Sequence, residues 1–529
     1  MHVAGDIGMG LNMKGGSSFM KKLFENIEKK IFIPAFLVLI VLTLTIYLFP
    51  GQVNGVISIL FSLCTHELGW LFMLTCLASF GFMIWLTFSK YGNIKLGNKD
   101  EKPQYNNLSW IAMLFTAGVG TSIVILGFLE PIYYVSAPPF DLEPFSNAAY
   151  EYAHMYGQFH WGFSAWAFYN PAIVAIAYVM YVRKENSIRL SNACRSVLHK
   201  KSDGWLGHIV DILVVFGIVG SISTSLGIGA PVLSDIIREV FGIPAQYDFT
   251  VKIIVLIIWV LIFGTSVYLG LDKGIQRLSN INVVLAFIFM GLILLIGPTM
   301  QIFKMEVNSI GLYASDFIKM STYTDPFGEG KFSSEWTVFY WGWWIAFMPM
   351  MGMFVGKISR GRTIKNVMWG QLLWGTLGCC CSFMIFGGYS LYLQQSGKVD
   401  LATILAEEGN SGAIIAILHT LPMSKIMMLF LCIVCFVYLA TTIDSCAYVL
   451  AGTTTKRLSY KEDPARWNRI LWAVLFCVLS IGLMIIGGLE AVKTISVLTG
   501  LPLIAVLIVL MLSVKRMLKE DEEKEEKRK

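Results

Sequence analysis

Apolar runs of about 20 residues recur along the whole chain, and each is long enough to cross a ~30 Å hydrocarbon layer as a helix. They fall near residues 33–50, 68–89, 108–135, 158–182, 207–237, 251–271, 281–303, 336–356, 366–393, 426–453, 468–488 and 491–513, numbered below as spans 1 to 12. Several are long enough to tilt or to contain a break. A helix satisfies its own backbone donors and acceptors where no water is at hand. The expected fold class is therefore an all-α membrane protein with about 12 transmembrane helices. The lipid bilayer is its first partner. The balance of side chains agrees: 56% of the 529 residues are hydrophobic and only 14% charged, a make-up at which a soluble domain would aggregate.

The charges sit between the runs, and they alternate. Lys21, Lys22, Lys29 and Lys30 precede span 1, and Lys90, Lys95, Lys99 and Lys102 follow span 2. Arg183, Lys184, Arg189, Arg195, Lys200 and Lys201 follow span 4; Lys357, Arg360, Arg362 and Lys365 follow span 8; Lys456, Arg457, Lys461, Arg466 and Arg469 follow span 10. The loops after spans 1 and 3 hold no Lys or Arg. Basic loops stay in the cytoplasm, so both termini are expected there. The net charge of +6 lies in these short loops and does not point to nucleic acid as a partner. Residues 1–15 read as a disordered leader, and the first apolar run spans rather than forming a cleavable signal. The ten cysteines are scattered through the spans, where small apolar packing residues are the ordinary reading, Cys432-x-x-Cys435 included.

Span 8 and its flanks, EWTVFYWGWWIAFMPMMGMFVGKISRGRT over 335–363, do not suit lipid. Trp336, Trp341, Trp343 and Trp344 crowd its front, Pro349 and Gly352 interrupt its middle, and Lys357, Arg360 and Arg362 close it. Tryptophan ordinarily belts the headgroup level, and Pro-x-x-Gly weakens a helix where lost hydrogen bonds find no water. A bulky span packed between neighbours is the bland alternative. A broken span lining an enclosed cavity fits better, because indole faces attract poorly hydrated cations such as a quaternary ammonium. Span 3 carries a second weak point, Gly118 and Gly120 in Phe115–Ser122. Two interruptions five spans apart are the mark of a secondary transporter built from inverted repeats. Glycine also serves close packing in membrane helices, and alone this pair would not decide.

The 335–363 stretch closely resembles the signature of the betaine/choline/carnitine transporter family: a tryptophan-rich half-span, a Pro-x-x-Gly break and an Ile-Ser-Arg-Gly-Arg-Thr loop. The resemblance extends over residues 30 to 515 and is closest in flavour to the carnitine/γ-butyrobetaine antiporter branch. It implies a LeuT-like architecture of inverted five-helix repeats with two extra N-terminal helices, usually assembled as a homotrimer. The chain then divides into a cytoplasmic N-terminal segment (1–30), the two extra helices (31–106), a first repeat (107–305), an external loop with an amphipathic helix (306–333), a second repeat (334–514) and a charged cytoplasmic tail (515–529). It also implies a bacterial inner (plasma) membrane carrier for trimethylammonium solutes such as carnitine, glycine betaine, γ-butyrobetaine or choline. By position, Trp161, Trp166 and Tyr169 of span 4 join Trp344 as an aromatic box. Trp343 and Tyr133 match further substrate-facing positions, Trp336 an outer site, and Phe347 and Met351 are places where this chain departs from near relatives.

Hydroxyls beside a broken helix suit Na⁺, and span 10 reads Ala440-Thr-Thr-Ile-Asp-Ser445. Such pairs more often cap backbone, but the resemblance places the hydroxyls of Thr441 and Thr442 with the carbonyls of Thr116, Val119 and Tyr438 around a coupling ion. Sodium-independent exchangers of this family substitute an arginine in span 7, where this chain has neutral Asn282. Na⁺ coupling is the expectation, with no organic cofactor and no other metal; Na⁺-independent exchange is the alternative. Glu130 and Asp444 are in-span acids given structural or hydrogen-bonding roles. A channel is the alternative from another class, since broken helices also line filters. An enzyme is not expected, because His66, His154, His160 and His199 show no metal spacing.

Overall fold

In a computed structural model of the chain, residues 25–185, 189–269, 274–328, 331–456, 458, 462–486 and 488–528 are described. The leader, Lys21 and Lys22, and Arg457 and Lys461 of the loop after span 10, lie outside them. The described secondary structure is helical apart from two isolated β-bridges, Ile27–Thr455 and Lys95–Thr363. Among the described residues, eleven helices are long and apolar enough to cross a membrane, or twelve if a pair bent by 57°, Asn107–Val119 and Ser122–Ser136, counts as one. This chain is an all-α, multi-span membrane protein.

Burial separates lipid-facing spans from the centre. The most apolar window of Lys29–Leu48 is 28% buried, whereas that of Ser333–Ile358 is 100% buried. Span 8 is therefore wrapped by protein on every side. Spans 4 and 12 press closest to it, and small residues permit the approach: a Cβ placed on Gly352 would lie 2.5 Å from Ala172 Cβ. Gly352 is a packing position, not half of a break. The expected interruption at Pro349–Gly352 is absent, because Phe339–Ile358 runs unbroken with Pro349 inside it. Proline removes only its own donor, and enclosing helices tolerate that loss in a membrane span. The irregular turn of this span lies earlier, as a π-helical turn over Ser333–Val338.

The break in span 3 is real and sits at Gly120, whose φ of 62° and ψ of −169° few other residues adopt. Gly118 remains helical. It is bare because Met351 and Trp166 lean on it: a Cβ there would lie 2.9 Å from Met351 Cε and 3.0 Å from Trp166 Cη2. Span 4 holds a break that sequence reading missed. Asn147–Trp161 and Phe163–Tyr181 are separate helices meeting at Gly162 (φ −89°, ψ −138°).

Other departures lie outside the bundle. Leu401–His419, absent from the sequence-based spans, is apolar enough to count, yet Gly409 (φ 69°) folds it into two pieces, each too short to cross. Residues 306–320 fall within one long helix, Thr299–Thr322, laid on the first half of span 4 through Glu306–Gln158 (2.7 Å) and Ser309–His154 (2.7 Å). Span 12 continues as helix to Glu526. Its acidic end grips the basic ends of spans 2 and 4, through Glu522 to Lys90 and Tyr91, and Asp521 to Arg183 and Tyr178. The Arg-Gly-Arg loop is likewise pinned: Arg362 bonds Asn107 (2.9 Å) and the Tyr105 carbonyl (3.1 Å) and lies over the Trp110 ring.

Gly352→Val is expected to separate spans 4 and 8 and to destabilise the bundle by roughly 1–3 kcal/mol, the usual cost of overpacking. A thermal unfolding scan in detergent checks this; an unchanged midpoint would refute the close approach.

Candidate functional site

Period 3.6 turns the aromatic residues of span 8 into a ladder. Trp336, Tyr340 and Trp344 recur at every fourth position and stack nearly parallel, with centroids 6.5 and 5.7 Å apart. Phe339 and Trp343 form a parallel rail (5.5 Å, 27°), and Trp343 lies flat on Trp344 (5.1 Å, 7°). The ladder points at the break in span 4. There Trp161 meets Trp344 edge-on at 4.8 Å and Trp343 at 5.8 Å. One turn on, Trp166 meets Tyr169 edge-on at 5.7 Å.

Hydrogen bonds fix three of these rings. Trp161 Nε1 donates to Glu130 (3.0 Å), Trp344 Nε1 to the His160 carbonyl beside the Gly162 break (2.9 Å), and Trp343 Nε1 to the Ser221 carbonyl of span 5 (3.3 Å). Trp166 lies flat over Gly375, while its carbonyl accepts from Gln371 (2.9 Å). Glu130 is the hub. Besides Trp161 it accepts from Tyr134 (2.7 Å) and from Tyr340, and Tyr134 contacts His160 Nδ1 (3.0 Å). Sequence reading gave Glu130 a structural role and did not single out Tyr134 or Tyr340, or His160 beyond its lack of metal spacing. The i, i+4 spacing of Glu130 and Tyr134 was the available signal.

These rings enclose a space lined by Gly118, Val119, Trp161, Ala165, Trp166, Tyr169, Trp344 and Cys379, of about 10 Å³. That is barely room for one water, so the rings are closed on themselves. The four expected box residues all line it. Trp343 and Met351 stand just behind, and Phe347 is buried elsewhere along span 8, outside the lining. Tyr133, matched to a further substrate-facing position, does not line this space. Its ring packs on Trp336 (5.3 Å) and its hydroxyl donates to Asn410 (2.6 Å), so it belongs with the outer residue. Cys379, read from sequence as packing, forms part of the wall.

Beside the Gly120 break one hydroxyl of span 10, Thr442, turns towards freed backbone, while both it and Thr441 cap their own helix. Thr442 Oγ1 lies 3.2 Å from the Thr116 carbonyl and 3.1 Å from that of Tyr438. Thr441 Oγ1 donates to the Tyr438 carbonyl (2.7 Å) and faces Asn282 Nδ2 (3.5 Å). A Cβ on Gly120 would lie 3.4 Å from Thr442 Oγ1, so a side chain there would crowd this cluster of oxygens. Val119 ends the helix next to it. Two neutral hydroxyls, the Thr116 carbonyl freed at the break and the Tyr438 carbonyl of the continuous Ser424–Thr453 helix fit a hard monovalent cation, and the donor set carries no group suited to a transition metal. Asp444 is held by Ser266.

The family profile described as BCCT, betaine/carnitine/choline family transporter, matches residues 30–523. A protein of Acinetobacter baumannii named carnitine transporter is 37% identical over 429 residues, covering 81% of this chain and 77% of its own. A protein of Escherichia coli K12 named uncharacterized transporter YeaV is 36% identical over 446 residues, covering 84% of this chain and 92% of its own.

Glu130→Ala strips the common acceptor from two hydroxyls and an indole N–H, at an expected cost of roughly 3 kcal/mol or more. Glu130→Gln, keeping one acceptor oxygen, should cost less. Denaturation midpoints for both, with the shift in tryptophan emission, decide it; equal stability of all three proteins would show the hub to be idle.

Proposed function

This chain belongs to the BCCT family of betaine/carnitine/choline transporters, and we propose that it carries a trimethylammonium solute across a bacterial plasma membrane by alternating access, coupled to Na⁺. One observation carries the reading: Trp161, Trp166, Tyr169 and Trp344 converge in a fully buried space beside the Gly120 and Gly162 breaks. No carboxylate lines that space. π-Faces attract a methylated ammonium without the strong field that would favour Na⁺ or K⁺ in its place, each contributing ~0.5–2 kcal/mol once water is excluded. A carnitine-like betaine is the favoured substrate, in keeping with the name of the Acinetobacter relative.

For the rings to admit a ligand they must part, and the two glycine breaks are where spans 3 and 4 can flex. Spans 3–7 and 8–12 act as two inverted repeats rocking about this centre, within a homotrimer. Na⁺ at Thr441, Thr442 and the carbonyls of Thr116, Val119 and Tyr438 ties the unwound turn of span 3 to span 10. Since span 3 also presents Gly118 and Val119 to the box, occupation of the ion cluster steadies the wall against which the substrate closes.

Uptake of radiolabelled glycine betaine, carnitine and γ-butyrobetaine into proteoliposomes, with and without a Na⁺ gradient and with preloaded substrate, tests each part. Trp344→Leu should raise KM roughly 2- to 30-fold, the value of one desolvated π-face; an unchanged KM sinks the box. Thr442→Ala should abolish stimulation by Na⁺. Equal uptake without Na⁺, boosted by preloaded substrate, would make the protein an exchanger. Flux that never saturates would make it a channel.

A further inference from the structure

Span 7 brings to the cation cluster a side chain that sequence reading counted only as neutral. Asn282 and Ser279 lie one turn apart on its helix, Gln276–Ile296, and both are fully buried. Ser279 Oγ accepts from Thr116 Oγ1 (2.9 Å), in the last turn before the Gly120 break. Asn282 Nδ2 faces Thr441 Oγ1 at 3.5 Å. Span 7 thus touches both helices that frame the cluster, span 3 and span 10.

The amide of Asn282 is poorly served by this arrangement. Its N–H contact to Thr441 is long against the usual reach of about 2.9–3.0 Å. Its Oδ1 is buried with no hydrogen-bond partner among the described residues. Buried polar atoms are nearly always paired, and lipid cannot supply a missing partner within a span. A leucine of similar size would fill the same space without stranding an acceptor. Packing does not account for an amide here.

The two ends of the amide trade places by half a turn about its last side-chain bond. That turn sets Oδ1 beside Thr441, whose own hydroxyl hydrogen is already given to the Tyr438 carbonyl (2.7 Å). Two oxygens then face each other with no hydrogen between them, and a cation makes that arrangement favourable. Beside Thr442 Oγ1 and the carbonyls of Thr116 and Tyr438, the amide oxygen completes a set of the kind that replaces an ion's hydration shell.

We infer that Asn282 is a ligand of the coupling ion, lending its side-chain oxygen to the cluster formed by spans 3 and 10. The ion then ties three spans together instead of two. The inference rests on the Na⁺ reading above.

Equilibrium binding of radioactive sodium to the purified protein in detergent tests this apart from transport. Wild type, Asn282→Leu, Asn282→Asp and Thr442→Ala are compared at alkaline pH, where the new carboxyl is ionised. Asn282→Leu should raise Kd for Na⁺ roughly tenfold or more, the value of one contact to a charged group. Asn282→Asp keeps an oxygen and adds a charge, so its Kd should fall below that of wild type. An amide that only packs, or only donates to Thr441, would lose affinity in neither variant or in both. A Kd that Asn282→Leu leaves unchanged, or that Asn282→Asp does not lower, overturns the inference; should the leucine variant not fold, the aspartate variant decides alone. A wild type that binds Na⁺, with Thr442→Ala losing it, leaves the Na⁺ reading intact in either case. A wild type that binds no Na⁺ sinks that reading and this inference with it.

Discussion

A carboxylate deep in the bundle holds the centre of this protein together. Glu130 accepts from Trp161, Tyr134 and Tyr340, which belong to three different spans or half-spans. In hydrocarbon no water can replace a missing partner, so the acid and its donors must stay together or each is left stranded. One rim of the aromatic box is thereby set by a polar contact in the interior of a chain that is otherwise mostly apolar. The rings supply the surface, and the acid decides which way one of them faces.

The backbone breaks serve the same end from another direction. A helix interrupted at Gly162 frees carbonyls near the turn, and His160's carbonyl takes the indole N–H of Trp344. A helix interrupted at Gly120 brings the Thr116 carbonyl within reach of Thr442. Unsatisfied backbone, a liability in lipid, becomes a set of fixed ligands once other spans enclose it.

How much of this the sequence disclosed follows from which signals are local. Span length, basic loops and the tryptophan cluster are patterns along the chain, and they led to a helical membrane protein and its central span; the box of Trp161, Trp166, Tyr169 and Trp344 came from the family resemblance, carried over by position. The two breaks were only half legible. Pro349 is a loud signal, yet its helix continues, because a lost donor is tolerable in a fully buried span. Gly162, one glycine among tryptophan and phenylalanine, breaks its helix with no proline to announce it. Tyr133 matches a further substrate-facing position by the family resemblance, and in the fold its ring packs on Trp336, away from the lining of the box.

The closed ring cavity has an energetic corollary. Edge and face contacts between aromatic pairs are worth ~0.5–1.5 kcal/mol each, close to what one such face offers a bare ammonium. An incoming cation therefore competes with the rings' attraction for one another, and its net grip is the small remainder. A receptor built that way would be a poor one. For a carrier the near-balance is useful: cargo held only slightly more tightly than the empty box holds itself can be let go on the far side, and the box re-forms without help.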